Sequence, residues 1–381
     1  MLALSDPHAP LPTALMDASG GFLWWYVDLI DDDGNGVVLI WSFGLPFLPR
    51  LGGEARRGRP QKPRSRPSVN ISVYREGKLD FYLLQELEPD EVGWKPSERD
   101  ELWLFGMSRM HLSREGGRAR LAVELDLALP DTSDRLVGTV RLDGPQLVQE
   151  TPREAGAHQW TPMVGPARGQ ASLRAGGWEC AIDGDAYFDR NGGDRPLHDL
   201  GIREWAWGRA TVGGVQWIYY LVEPEVAGDP PVATVLRIGA GGVVTRMEGV
   251  EARTYGKRPS AFGPPWAPRM TLHHEGQTLL EVAQSSPVDS GPFYLRLPLL
   301  MTDAEGRSGR GWGELVLPHR IDLVRHRFFV QMRVHKPGGP NSMWLPLFTG
   351  PARGRVRRLL TGGDVYPSSV PKLTRADEVT S

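Results

Sequence analysis

The stretch richest in chemically useful side chains is Gly184–Arg209, GDAYFDRNGGDRPLHDLGIREWAWGR. If Tyr187–Asn191 is extended, successive side chains alternate, so Tyr187, Asp189 and Asn191 share one face and Phe188 and Arg190 the other. A phenol, a carboxyl and an amide then line one wall. A second reading is open too. Asn191-Gly192-Gly193-Asp194 is turn chemistry, in which Asp and Asn only cap backbone groups. Further on, Trp205, Trp207 and Arg209 alternate on one face. They form either the wall of a pocket or a cation–π ladder tying a barrel together, and the ladder is the expected role of Arg209.

No signature of cofactor chemistry accompanies them. A GxSxG elbow, a P-loop, a Rossmann glycine fingerprint and HExxH are all missing. The nine histidines are scattered, and the close pair His273-His274 would point to opposite faces of a strand. No metal site and no cofactor are therefore expected. Chemistry here has to come from carboxylates, aromatics and amides.

The elements that must position these groups read as strands. Val69–Tyr74 (VNISVY) and Leu79–Leu84 (LDFYLL) alternate with period two around a tight turn at Glu76-Gly77-Lys78. Val137–Leu142, Val215–Val222 and Phe328–Val334 follow the same pattern, and no long window has a 3.6-residue apolar period. The 46 glycines and 33 prolines are spread along the chain, as punctuation for many short strands. Gly20–Gly44 reads as strand, acidic glycine turn, strand. Its Trp24, Tyr26 and Asp28 face one way and Trp25, Val27 and Leu29 the other, so both faces should be buried. The fold predicted is all-β, built of barrels or sandwiches with little helix.

A chain of 381 residues is long for a single core, so two domains are expected. The divisions read from sequence are an N-terminal extension at 1–19, a first β domain at 20–155 and a second at 156–358. A disordered tail is expected at 359–381. The polar segment Gln149–Gly156 serves as connector. A net charge of −2 gives no reason to expect nucleic acid as a partner. The single cysteine, Cys180, excludes an intrachain disulfide and suits a reducing compartment. The start of the chain lacks the pattern of a signal peptide, and no apolar run approaches the ~20 residues of a membrane helix. The expectation is a cytoplasmic protein, at most peripheral to the inner face of the membrane. Arg50–Pro67 holds seven Arg or Lys against the single acid Glu54. It is either a solvated loop or a contact for anionic lipid, where each basic residue gains about 1 kcal/mol. The 13 tryptophans fill cores or line a cavity for a large apolar ligand.

Several segments together resemble the carotenoid 1,2-hydratases, also called hydroxyneurosporene synthases, and their lipocalin-like relatives. They are GGFLWWYVD with its DDGNG turn, FGLPFLPR, the basic loop leading into NISVY, and His158-Gln159-Trp160. YFDRNGGDRPL with EWAWGRA follows, and GPFYLRLPLLMTDAEGRSGRGWGELVLPHR closes the match. The resemblance spans roughly residues 20 to 335. It implies two consecutive lipocalin-like barrels and an acid-initiated hydration of a lipophilic polyene. Asp189 would be the proton donor, Tyr187 its neighbouring phenol and Trp160 a third catalytic residue. Asn191, Trp205, Trp207 and Trp24 would bind substrate. Burial among aromatics would keep Asp189 protonated, and aromatic faces would stabilise the carbocation by about 2 kcal/mol each. The same scaffold also suits a cyclase, a pericyclase or a carrier of a lipophile. Arg190 and Gly192 stand where many relatives carry His and Trp, and Leu48–Leu51 replaces an aromatic segment end; these departures bear on substrate identity.

Overall fold

Glu76 and Gly77 both take positive φ, 51° and 70°, the geometry of a two-residue hairpin turn. They join the strands Pro67–Arg75 and Lys78–Glu86. The computed structural model describes residues 2–96, 100–130, 132–149, 157–260 and 263–361. Among them, period-two patterns fold into strands along most of the chain. The predicted all-β class is what forms, as two large, curled, mostly antiparallel sheets.

The first sheet runs, in spatial order, from Lys78–Glu86 through Pro67–Arg75, Gly36–Phe43 and Phe22–Ile30 to Trp178–Gly193 and His158–Ala175. Arg135–Pro145 follows, and hairpin strands reaching back to Val92–Pro96 complete it. The second sheet is built around Val215–Pro224, Ile202–Val212, Ser308–Val316 and Tyr294–Asp303. The connector expected near 149–156 does not mark the change of sheet. The long strands on both sides of it, Arg135–Pro145 and His158–Ala175, belong to the first sheet. The two-residue strand Val148–Gln149 pairs with Val243–Val244 of the second, and the main change of sheet falls between Gly193 and Ile202. Residues 150–156 themselves lie outside the described residues. Within the expected N-terminal extension, Leu2–Leu4 pairs in parallel with His158–Trp160.

Alternation decides which core each side chain enters. Trp25, Val27, Leu29 and Phe188 point into a core enclosed by the first sheet. Trp24, Tyr26, Trp160 and Tyr187 point the other way and meet Trp205, Trp207, Ile218 and Tyr220 of the second sheet. A separate cluster around Tyr219, Met270 and Leu280 fills the inside of the second sheet. Both faces of Phe22–Ile30 and of the far half of Trp178–Gly193 are buried, as the doubly aromatic hairpin pattern predicts. Trp312 ties the two sheets together by donating its indole N–H to the Leu29 carbonyl at 3.2 Å.

Four local expectations need correction. Phe328–Val334 is not a strand: Val324–Gln331 is an α-helix, with Val324 and Phe328 exposed and Val330 packed against the inter-sheet core. Its apolar residues do not share one helical face, which leaves only a misleading alternation to read. Asn191-Gly192-Gly193 is not a turn but the end of a strand. A Cβ on Gly193 would stand 2.7 Å from the Phe22 ring and 2.9 Å from the Ala157 carbonyl, so this glycine permits close packing. Arg209 is no rung of a ladder: it donates to Asp28 and to the Asp185 carbonyl (3.2 Å), since a guanidinium buried between sheets requires an anion more than a ring face. The tail expected from residue 359 overlaps the helix Arg355–Thr361; residues 362–381 lie outside the described residues.

Candidate active site

Asp189 sits near the end of Trp178–Gly193, directly opposite Tyr26 on one neighbouring strand and Pro162 on the other. It is 2% exposed. Its carboxyl accepts three hydrogen bonds. Trp160 Nε1 and Tyr187 Oη donate to Oδ2 at 2.9 and 3.0 Å, and Asn191 Nδ2 donates to Oδ1 at 2.9 Å. Tyr187 and Asn191 reach it because residues two apart share a strand face. Trp160 reaches it because it pairs with Asn191 across the next strand.

The network continues outward. His158 Nε2 lies 3.1 Å from Asn191 Oδ1, and Tyr220 Oη lies 3.4 Å from His158 Nδ1. Asn191 offers an oxygen to the imidazole, so the His158 proton is on Nε2 and Nδ1 is left to accept from Tyr220. Burial pushes the His158 pKa down to about 4, against the hydrogen bond to Asn191. The imidazole is therefore neutral.

Opposing effects set the acidity of Asp189. Burial disfavours its charge and dominates, the donors Trp160, Tyr187 and Asn191 favour the carboxylate, and the nearby Glu314 adds a further upward push. The outcome is a pKa raised to about 7. Oδ2 is occupied by two donors and Oδ1 by one, so Oδ1 has the acceptor capacity left to carry the acid proton.

A small pocket of about 30 Å³ opens onto this carboxyl, lined by Trp24, Tyr26, Trp160, Asp189, Asn191, Trp207 and Tyr220. By the same measure a water needs roughly 10–15 Å³, so the pocket is sized for water and not for a hydrocarbon chain. Tyr187 lies behind it, its ring 5.9 Å from Trp207. The structure thus brings six of the seven residues singled out in the sequence into contact with the carboxyl or its pocket. Trp205 is the exception: it packs behind, with ring centroids 5.7 Å from His158 and 6.0 Å from Tyr220.

Sequence reasoning left several participants without a role. Tyr220 was legible, since alternation in VQWIYYLV puts it on the face of Ile218 and Val222. Arg296 and Glu314 were not, because their partners are remote. Arg296 Nη1 donates to Tyr26 Oη at 2.9 Å, its Nη2 lies 2.6 Å from Glu314 Oε1, and Tyr294 Oη donates to the same carboxylate oxygen at 3.1 Å. Among the described residues, no group of three or more His, Cys, Asp or Glu side chains is placed to hold a metal, and no helix is long and apolar enough to cross a membrane.

Comparison with known proteins adds four findings. Residues 55–336 match the family model described as carotenoid hydratase CrtC. An acyclic carotenoid 1,2-hydratase of Rubrivivax gelatinosus is 31% identical over 222 residues, which is 56% of this chain and 51% of that protein; the chain thus spans about half the length of this curated relative. A hydroxyneurosporene dehydrogenase of Chlorobaculum tepidum is 24% identical over 361 residues, 87% of this chain and 91% of that protein. Among solved structures, a Nitrosomonas europaea protein described as AttH superposes with a TM-score of 0.54. It is 16% identical, and the match covers 81% of this chain and 96% of that chain. That likeness concerns the fold alone.

Proposed function

The chain belongs to the carotenoid hydratase CrtC family, and from that premise we propose that it adds water across the terminal C1–C2 double bond of an acyclic carotenoid of the lycopene or neurosporene type. The observation that carries this reading is the Asp189 carboxyl, whose pKa is pushed up to about 7 inside an aromatic pocket while three donors address it. A trisubstituted alkene is a very weak base, so its protonation needs a carboxylic acid rather than a carboxylate. Burial supplies the acid form. The donors stabilise the conjugate base, so the acid is able to let its proton go.

In the proposed cycle, Asp189 Oδ1 delivers its proton to the less substituted alkene carbon. The π pair forms the new C–H bond and a tertiary cation remains. The faces of Trp24, Trp207 and Tyr220, all lining the pocket, are placed to stabilise that cation by about 2 kcal/mol each when desolvated. A water then bonds through oxygen to the cationic carbon and returns a proton to the Asp189 carboxylate. Acid and enzyme are regenerated and the product is one water heavier. The water-sized pocket beside Oδ1 favours quenching by water over ring closure.

The test is incubation with lycopene in detergent micelles and mass analysis of the extract. A product heavier by one water is the expected result. Lycopene recovered unchanged from folded protein would end the reading.

A substrate of this class resides in membranes, and we extend the proposal to peripheral contact with anionic lipid through Arg50–Pro67. The fold limits that contact. Arg57 and Arg59 bind Glu54, Arg64 binds Asp17, Arg66 binds Glu86, and Arg56 donates to the Ile321 carbonyl. Five of the seven basic side chains thus have partners within the protein, and the attraction to lipid should be modest.

A further inference from the structure

The acid pocket cannot hold the substrate's hydrocarbon as it stands, yet a much larger apolar space lies beside it. Strand register draws the connection. Asp189 stands opposite Tyr26, Tyr26 opposite Ile40, Ile40 opposite Asn70, and Asn70 opposite Leu84. Residues directly opposite one another share a sheet face, so these five form one row across five strands. Four inter-strand steps of about 4.8 Å make that row ~19 Å long. Its far three members, Ile40, Asn70 and Leu84, line a cavity of about 440 Å³. Phe47, Tyr82 and Phe293 add to the apolar wall, and Phe329, Val330 and Met332 of the C-terminal helical region line it as well.

One layer of side chains divides the two spaces. Tyr26 lines the acid pocket and Arg296 lines the large cavity. The two are joined by the 2.9 Å hydrogen bond from Arg296 Nη1 to Tyr26 Oη. The guanidinium also lies over the rings of Tyr26, Tyr74 and Tyr294 at 5.6, 5.8 and 5.7 Å.

We propose that this cavity is the binding site for the polyene chain of the substrate, and that the Arg296–Tyr26 pair is the movable partition the chain end passes to reach Asp189. The proposal rests on the hydratase reading for the identity of the ligand. The polyene lies across the strands along the row, its terminal isoprene unit replacing the partition at one end. Arg296 keeps its Glu314 partner when it lets go of Tyr26, so the buried cation is never left without an anion.

The test fills the cavity and reads binding separately from turnover. Gly291 lines the cavity, and a Cβ built there meets only the Tyr294 carbonyl, at 3.9 Å. Gly291→Phe therefore has room to project a ring. Leu84→Trp fills the far end of the row. Lycopene binding is followed by the shift of its visible absorbance, and folding by near-ultraviolet circular dichroism. At least a tenfold loss of lycopene affinity in the folded variants is expected. Wild-type affinity in a folded Gly291→Phe protein overturns the proposal, as does a wild-type protein that binds no lycopene. Wild-type protein that binds lycopene but never hydrates it, with binding lost in the filled variants, rejects the hydratase reading and leaves the cavity assignment standing.

Discussion

The indole N–H of Trp160 points at Asp189 Oδ2 from 2.9 Å, so this tryptophan acts on the acid through its edge. Hydration chemistry invites the view that every nearby Trp offers a ring face to a cation. Here one of them donates to the carboxyl itself, and in the proposed cycle that bond holds the carboxylate left after proton transfer. Trp24 and Trp207 line the pocket without such a hydrogen bond to Asp189.

Replacing the acid by its amide should separate binding from chemistry. Asp189→Asn keeps size and polarity but has no acidic proton for carbon. Hydration of lycopene should fall at least 100-fold, in keeping with the about 10²–10⁴-fold that general acids contribute, while the absorbance shift on binding persists. Near-wild-type turnover would place the proton donor elsewhere.

The pH profile should report the same group. The proposed cycle needs Asp189 protonated and its pKa is raised to about 7, so kcat should decline as pH rises through about 7. Stability follows the same sign. The folded state holds this proton more tightly than the unfolded chain, so the contribution present below about pH 4 is lost as pH climbs toward 7. Asp189→Asn does not titrate. Its melting temperature relative to wild type should therefore climb between pH 5 and pH 8; a constant difference would show that the buried carboxyl does not ionise there.

Removing single donors should tune the acid. Tyr187→Phe and Trp160→Phe each delete one hydrogen bond to Oδ2, which disfavours the carboxylate and raises the pKa further. The falling limb of the kcat profile should move to higher pH, with kcat at pH 6 reduced roughly tenfold. A lowered kcat with an unmoved limb would mean that these residues serve only packing.

Gly193→Ala should destabilise the protein without touching the chemistry directly. The added methyl collides with the Phe22 ring and the Ala157 carbonyl, and overpacking of this kind costs about 1–3 kcal/mol. Urea titration of the two proteins checks it. An unchanged midpoint would argue that Phe22 moves freely.

Attachment to lipid should be weak and salt-sensitive. Sedimentation with anionic vesicles should exceed that with neutral ones at low salt, fade as salt rises, and fall further in the double variant Arg50→Glu with Lys62→Glu. Equal sedimentation with both vesicle types at every salt level would remove the basic loop from the proposal.

What could be read from the sequence was local. The Tyr187, Asp189, Asn191 face follows from period two alone, and so does the two-sided burial of Trp24 to Leu29. Relationships between sheets left no local trace. Arg209 finds Asp28 across 181 residues, and Arg296 finds Tyr26 across 270. Neither pair has a spacing that any motif records. Helix Val324–Gln331 failed for the opposite reason. Its local pattern was clear but carried the wrong period, because its shape is set by packing over a cavity and not by one apolar stripe.

Phe22–Ile30 is hydrogen-bonded to Trp178–Gly193, a partner from far along the chain. That pairing sets the order of events during synthesis. A ribosome that has made only the first 155 residues has produced both flanks of the sheet without its middle, and has left the strand Phe22–Ile30 with a bare edge, open to wrong partners. Such non-local closure is slow, and a fragment cut there should aggregate rather than fold. Asp189 is shut away from water only when Ile202–Val212 and its neighbours are laid over it. Until then it is an ordinary surface carboxyl, ionised at neutral pH and inert toward an alkene, so the acid comes into being only with the finished molecule.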